Sequence, residues 1–283
     1  MSLAAEPPGS VPDPRSATIS RLTPRIAKFR VQPIPSAAAR IVPAGGRGIA
    51  RERLQLLRMY GERYRQAMTV VAGQLSESPH RDDGVNALVD LAAVHLYLTT
   101  EWVWLDDALL EGTVGVHLPL ARCVASGLRR LPSYRGPAIA HTSAVEGVEN
   151  WYRRNQFVTE HGFWTASTST AAPSEGGPKF LVWSLTGRST RMIDPHTPER
   201  LVFAPATRFK VLRVVEGQHP LVLMRELLPL ELPAHPTSGS HTTWLDESTV
   251  AELELAEADS TTPARADIVG PRGRFPGLSR YLH

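Results

Sequence analysis

HGFWTASTST, His161 to Thr170, sets an aromatic pair after a glycine and follows it with six small residues, five of which carry a hydroxyl. Buried strands favour Val and Ile, and turns favour Gly, Pro, Asn and Asp. The mixture reads as a strand whose bulky end packs inward while its hydroxyls face something polar.

Segments of similar texture flank it. SYRGPAIA (133–140), NQFVTEHGFWTAS (155–167), GPKFLVWSLTG (177–187), ERLVFAPATRFKVLRVVEG (199–217) and PLVLMRELLP (220–229) are short β-rich runs separated by turn residues. TSAVEGVENWYRR (142–154) interrupts them with a helical pattern. Residues 131–231 are therefore expected to form a β-rich domain.

Upstream the period changes. In RERLQLLRMYGERYRQAMTVVAGQL (51–75), Leu54, Leu57, Tyr64, Met68, Val71 and Leu75 recur at three- and four-residue steps, with Gly61 filling one slot. This spacing predicts one helix of a bundle. VNALVDLAAVHLYLTTEWVWLDDALLEG (85–112) is apolar on several faces and predicts a central helix, broken near Thr99 and Thr100. PLARCVASGLRRL (119–131) predicts another. Residues 49–130 are read as a helical domain.

The ends are poorer in pattern. Residues 1–48 are dense in Pro, Ala, Arg and Gly and predict a disordered arm, or one in which Ile26, Phe29, Val31 and Ile34 dock on a partner. Residues 232–283 predict a linker, a short acidic helix opened by the capping-box pair Thr249 and Glu252, and a flexible tail. The whole is α+β: a helical unit on a β-rich domain.

Composition narrows the function. The net charge of the 283 residues is only +3, too weak for a nucleic-acid surface. Three of the 31 basic residues are lysine, a bias that a GC-rich genome explains. A single cysteine, Cys123, excludes an internal disulfide and a Cys-rich zinc site. The N-terminus lacks a basic start followed by an apolar core, and no run approaches the roughly 18 apolar residues of a membrane helix. The expectation is a cytoplasmic protein without membrane insertion, with signal-less export left open.

Common motifs are absent. GGRG (45–48) lacks a preceding strand and dinucleotide spacing, and there is neither a phosphate loop ending in Lys-Ser or Lys-Thr nor a nucleophile elbow. His235 and His241 lie in a Pro/Ser linker. Asp82–Asp83 and Asp106–Asp107 read as turn and helix-end carboxylates.

What remains is an ordered constellation: Tyr134-Arg135-Gly136, then Phe163-Trp164-Thr165-Ala166-Ser167, Gly187, Ile193, Glu199-Arg200-Leu201-Val202-Phe203, and Pro205, Thr207 and Phe209. It resembles the arginine-class ADP-ribosyltransferases over residues 131–216. That family carries an Arg-Gly on an early strand, a Phe-x-Ser-Thr-Ser strand, and a Glu-x-Glu before a strand ending Thr-Arg-Phe. The resemblance implies an ADP-ribosyltransferase-like split, mostly antiparallel β-core and NAD as substrate, with no metal. It gives Arg135 the pyrophosphate, through paired charge-assisted hydrogen bonds, and Gly136 a close backbone approach. Thr165 and Ser167 would face the ribose, and Phe163 or Trp164 would support the strand or stack on a ring. A carboxylate would stabilise the cation-like transition state as nicotinamide leaves.

Two departures stand out. The hydroxyl strand reads Thr165-Ala166-Ser167, unless the register shifts to Ser167-Thr168-Ser169. The catalytic Glu slot falls on Arg200 and the other acidic slot on Pro198. Glu199, between them, is the nearby candidate catalyst, facing away unless a bulge re-aims it. The resemblance thus implies either a mono-ADP-ribosyltransferase acting on a protein or small acceptor, or a catalytically inactive module serving as scaffold or partner-binding element in a larger assembly.

Overall fold

A computed structural model describes residues 28–35, 41, 47–76, 84–99, 103–111, 113–143, 148–169, 176–217, 220–228, 231, 243–258 and 275–281. The helical half comprises α1 (Arg47–Ser76), α2 (Gly84–Thr99), α3 (Val103–Glu111) and α4 (Leu118–Leu128). Among the described residues, no helix is long and apolar enough to cross a membrane.

The α1 seam differs from the expected one. Tyr64 and Val71 are buried as read, but Leu54 and Leu57 are exposed and Leu56 takes their place. Gly61 is the cause: at φ 47° and ψ −113° it is not helical, so two helical pieces meet at a kink. A seam extrapolated through it as one continuous helix loses its phase. α2 is central, with Ala87, Leu91, Ala92, Ala93, Val94 and Leu96 all buried.

α2 and α4 cross where Gly127 omits a side chain, since a Cβ there would lie 2.3 Å from the Asp90 carbonyl oxygen and 2.6 Å from Val94 Cγ2. The buried Asp90 carboxylate is neutralised by Arg53 at 2.6 and 2.9 Å and accepts a 2.8 Å hydrogen bond from Ser126. Cys123 is buried beside this network, and burial pushes its thiol pKa up.

The β half is one eight-stranded sheet in the order β3-β8-β9-β5-β2-β4-β7-β6. Its strands are β2 (Gly136–Ser143), β3 (Phe157–Glu160), β4 (Trp164–Ser167), β5 (Gly176–Ser184), β6 (Arg188–Ser189), β7 (Arg200–Phe203), β8 (Thr207–Val215) and β9 (Leu221–Glu226). β5 and β9 run parallel, and the other pairs are antiparallel.

The sheet folds over on itself. In a flat sheet, β4 and β8 would stand four strand spacings apart, about 19 Å. Yet the Trp164 and Phe209 ring centroids are 5.3 Å apart, as are those of Phe203 and Phe209. Trp164, Phe180, Phe203, Phe209 and Met224 fill the fold as an aromatic core. This is the split, mostly antiparallel core expected from the sequence. The helices cover the opposite face: Phe163, Ile193 and Val202 join the helical core, while Ile139, Leu181 and Leu223 pack with Leu253 of α5 (Thr243–Ala258).

Both chain ends contribute order where an arm and a flexible tail were expected. β1 (Lys28–Val31) pairs antiparallel with β10 (Leu278–Tyr281), and Phe275 enters the aromatic core. Gln32 holds this small sheet to β3: its amide donates to the buried Glu160 at 2.9 Å and accepts from the His161 N–H at 2.7 Å. Within the N-terminal stretch, Lys28–Val31 is held by Leu278–Tyr281. Val31 and Ile34 remain exposed, and Ile26 lies outside the described residues. The acidic helix also begins earlier than read. It starts at Thr243, so Thr249 is a buried interior residue and not a cap. In 142–154 the described helical part is a single 3-10 turn, Val148–Trp151.

Candidate active site

β4 carries the hydroxyls, and its alternation explains the missing one. Trp164 and Ala166 face the aromatic core. Thr165 and Ser167 therefore share the other face. A hydroxyl at Ala166 would be buried among rings without a partner, which costs free energy. Thr165-Ala166-Ser167 lies within the strand, and Thr168 and Ser169 follow its end. Ser167 closes β4 by accepting the Ser169 N–H at 3.0 Å on its Oγ.

Phe163 corrects an expectation. It is 0% exposed, and its ring stands 5.1 Å from that of Tyr97 on α2. It anchors β4 to the helical unit and offers no face to a ligand. Trp164, stacked 5.4 Å from Phe203, does the same on the other side of the sheet.

Arg135 and Gly136 stand at the start of β2, the strand next to β4, and Ile139 pairs with Ser167. Arg135 is four residues before Ile139, so about 13 Å of strand separates it from the level of Ser167. The two cannot touch, and a ligand reaching both must be extended. Gly136 has φ 141°, and a Cβ there would meet the Tyr134 hydroxyl at 3.1 Å. The position therefore selects glycine. Tyr134 packs on the aromatic core and donates to the Pro137 carbonyl at 3.0 Å; burial pushes its phenol pKa up. Its neighbour Arg135 is exposed and, among the described residues, pairs with no carboxylate.

The acidic slot lies on the strand at the other side of β4. Ser167 pairs directly with Arg200. Leu201 and Phe203 enter the aromatic core, which leaves Arg200 and Val202 on the Ser167 face. Arg200 thus lies beside Ser167 on one face of the sheet. Its Nη1 bonds the Asp194 Oδ2 at 2.9 Å, and the Thr197 hydroxyl donates to the same oxygen. Glu199 is half-buried one position earlier, where its carbonyl accepts the Thr168 N–H at 2.8 Å. Continuing the ladder alternates Glu199 away from Arg200.

Asp194 lies six residues before Arg200 in the chain. The 190–197 turn folds it back onto β7, which sequence spacing does not reveal. The helical unit braces that turn, with His95 Nδ1 3.0 Å from the Ile193 carbonyl oxygen. The site thus brings together Thr165, Ser167, Arg200, Asp194 and the main chain of Glu199, with Arg135 and Gly136 on the adjoining strand.

No family model matches the chain. The NAD(+)–protein-arginine ADP-ribosyltransferase Tre1 of Pseudomonas putida (strain GB-1) is 27% identical over 143 residues, which are 48% of this chain and 29% of that protein. The match thus spans less than a third of that relative's length. Among solved structures, a truncated type III effector XopAI from Xanthomonas axonopodis pv. citri aligns with TM-score 0.54 and 21% identity, over 66% of this chain and 91% of its own. The ADP-ribosyltransferase HopU1 of Pseudomonas syringae pv. tomato DC3000 aligns with TM-score 0.52 and 10% identity, over 66% of this chain and 99% of its own. The folded-over sheet, with its Arg-Gly strand beside a hydroxyl strand, is thus the fold that these ADP-ribosyltransferase structures share.

Proposed function

We propose that the chain is a mono-ADP-ribosyltransferase that uses NAD as substrate and modifies a protein acceptor. The observation that carries this reading is the pairing of Ile139 with Ser167, which sets the Arg135-Gly136 end of one strand beside the hydroxyl strand. Arg135, exposed and without a carboxylate partner among the described residues, is a free fork for a pyrophosphate. Gly136 lets the ligand approach the backbone, half-buried Thr165 offers its hydroxyl to the ribose, and buried Ser167 must be uncovered to do the same. Glu199, whose side chain the ladder turns away from Arg200, is the candidate catalyst and must swing toward the ribose to act.

In the reaction the ribosyl–nicotinamide bond breaks, its electron pair leaving on the nicotinamide ring. The acceptor nitrogen forms the new bond to that carbon, and its proton passes to Glu199. The name of the Tre1 relative makes an arginine guanidinium the acceptor to test first. NAD as substrate is in keeping with action in a cytoplasm.

Arg200, across from Ser167, favours a second reading, a fold that keeps NAD binding and lacks turnover. Calorimetric titration with NAD and a nicotinamide-release assay separate the two. The enzyme reading expects binding and release, with Glu199→Gln abolishing release and Arg135→Ala abolishing binding. Binding without release supports the inactive module, and neither refutes an NAD site.

A further inference from the structure

We infer that Asp194 is a positioning residue of the proposed reaction: it holds the Arg200 guanidinium and cancels its charge beside Ser167. This rests on the ADP-ribosyl transfer reading and deepens it.

Directly paired residues of antiparallel strands have Cβ atoms about 4.5–5.5 Å apart, so the Arg200 stem leaves β7 next to Ser167. An uncompensated guanidinium there would repel the positive charge that develops on the ribosyl carbon. At a separation of about 6 Å and an effective dielectric constant of about 20, that repulsion slows the reaction on the order of 100-fold. The structure removes it. Asp194 Oδ2 sits 2.9 Å from Arg200 Nη1, with side-chain exposures of 11% and 17%, so solvent screens the pair weakly.

The pair is held from several sides. Thr197 donates to the Asp194 carboxylate, and the Asp194 N–H donates to the Thr190 carbonyl at 2.8 Å. Fully buried Thr190 binds the Arg200 carbonyl through its N–H at 3.1 Å and its hydroxyl at 3.3 Å. The 190–197 turn therefore grips Arg200 by main chain and side chain together. A cation in the acidic slot becomes a neutral pair, and the departure from the family pattern at Arg200 stops being an electrostatic barrier.

The test measures nicotinamide release by the full chain across NAD concentrations, with kcat and KM separated. Asp194→Asn leaves the guanidinium uncompensated and is expected to lower kcat on the order of 100-fold with little change in KM. Arg200→Gln, which frees the carboxylate, is expected to raise kcat. The double variant is expected to regain most of the loss, a rescue that a merely structural Asp194 would not show. An Asp194→Asn enzyme with wild-type kcat overturns the inference, as does a double variant no faster than Asp194→Asn. Should Asp194→Asn lack a cooperative melt, Arg200→Gln decides alone, and a fall in its kcat overturns the inference. A wild-type chain that releases no nicotinamide refutes the underlying reading, and this inference falls with it.

Discussion

Replacing Phe163 by Ala tests whether the ring before the hydroxyl strand serves folding or ligand binding. The side chain is fully buried, and it joins the helical core through the 5.1 Å contact with Tyr97. Phe→Ala in a core costs about 3–5 kcal/mol, which already contains the loss of an aromatic pair worth about 0.5–1.5 kcal/mol. For a chain of this size, 1 kcal/mol moves Tm by about 2–4 °C, so a fall of about 6–20 °C is expected. Phe163→Leu keeps most of the apolar volume and is expected to lose only the ring contact. Calorimetric melting of both variants, with NAD titrations well below their melts, reads stability and affinity separately. The reasoning is refuted if Phe163→Ala melts within about 2 °C of wild type and weakens NAD at least tenfold, since that pattern belongs to a ligand wall.

Further outcomes follow from the same geometry. Ala166→Thr restores the family's middle hydroxyl but places it in the aromatic core, so a loss of about 1–3 kcal/mol without faster nicotinamide release is expected from denaturant melts and kinetics. Gly127→Ala drives a methyl into the Asp90 carbonyl and is expected to cost about 1–3 kcal/mol in urea melts, by forcing α2 and α4 apart. Gln32→Ala strips the buried Glu160 of one hydrogen bond and the His161 N–H of its acceptor, with an expected loss of about 1–3 kcal/mol in melts and faster amide exchange at β1 and β10. Cys123, buried and with its pKa pushed up, is expected to resist alkylation at pH 8 until the chain unfolds, which mass spectrometry with and without denaturant measures.

Much of the fold was legible because its signals are local. The change from three- and four-residue spacing to short β runs near Leu131 follows from side-chain direction along a helix or a strand. The Arg135-Gly136 pair, the hydroxyl strand and Arg200 stand out in the sequence through their resemblance to a family pattern, and the sheet sets the hydroxyl strand between β2 and β7. Where local signals misled, a non-local contact decided. Leu54 and Leu57 have seam spacing, but the kink at Gly61 turns them outward. Phe163 and Trp164 read as equivalent aromatics, yet they lie on opposite faces of the sheet and serve different cores. Thr249 has cap spacing, but the helix already begins at Thr243, and Thr249 and Leu253 are buried within it.

The sequence by itself determined which residue types are present and in what chain order they come. Tertiary structure decided which of them meet. Strand alternation is a property of one segment, but the register Ser167 to Arg200 arises between segments far apart in the chain, as does the turn that lays Asp194 against Arg200. The same holds for β1 and β10, whose pairing joins the two ends of the chain. Pairing across long loops depends on the shared core that both partners bury, and no window of neighbouring residues contains that information.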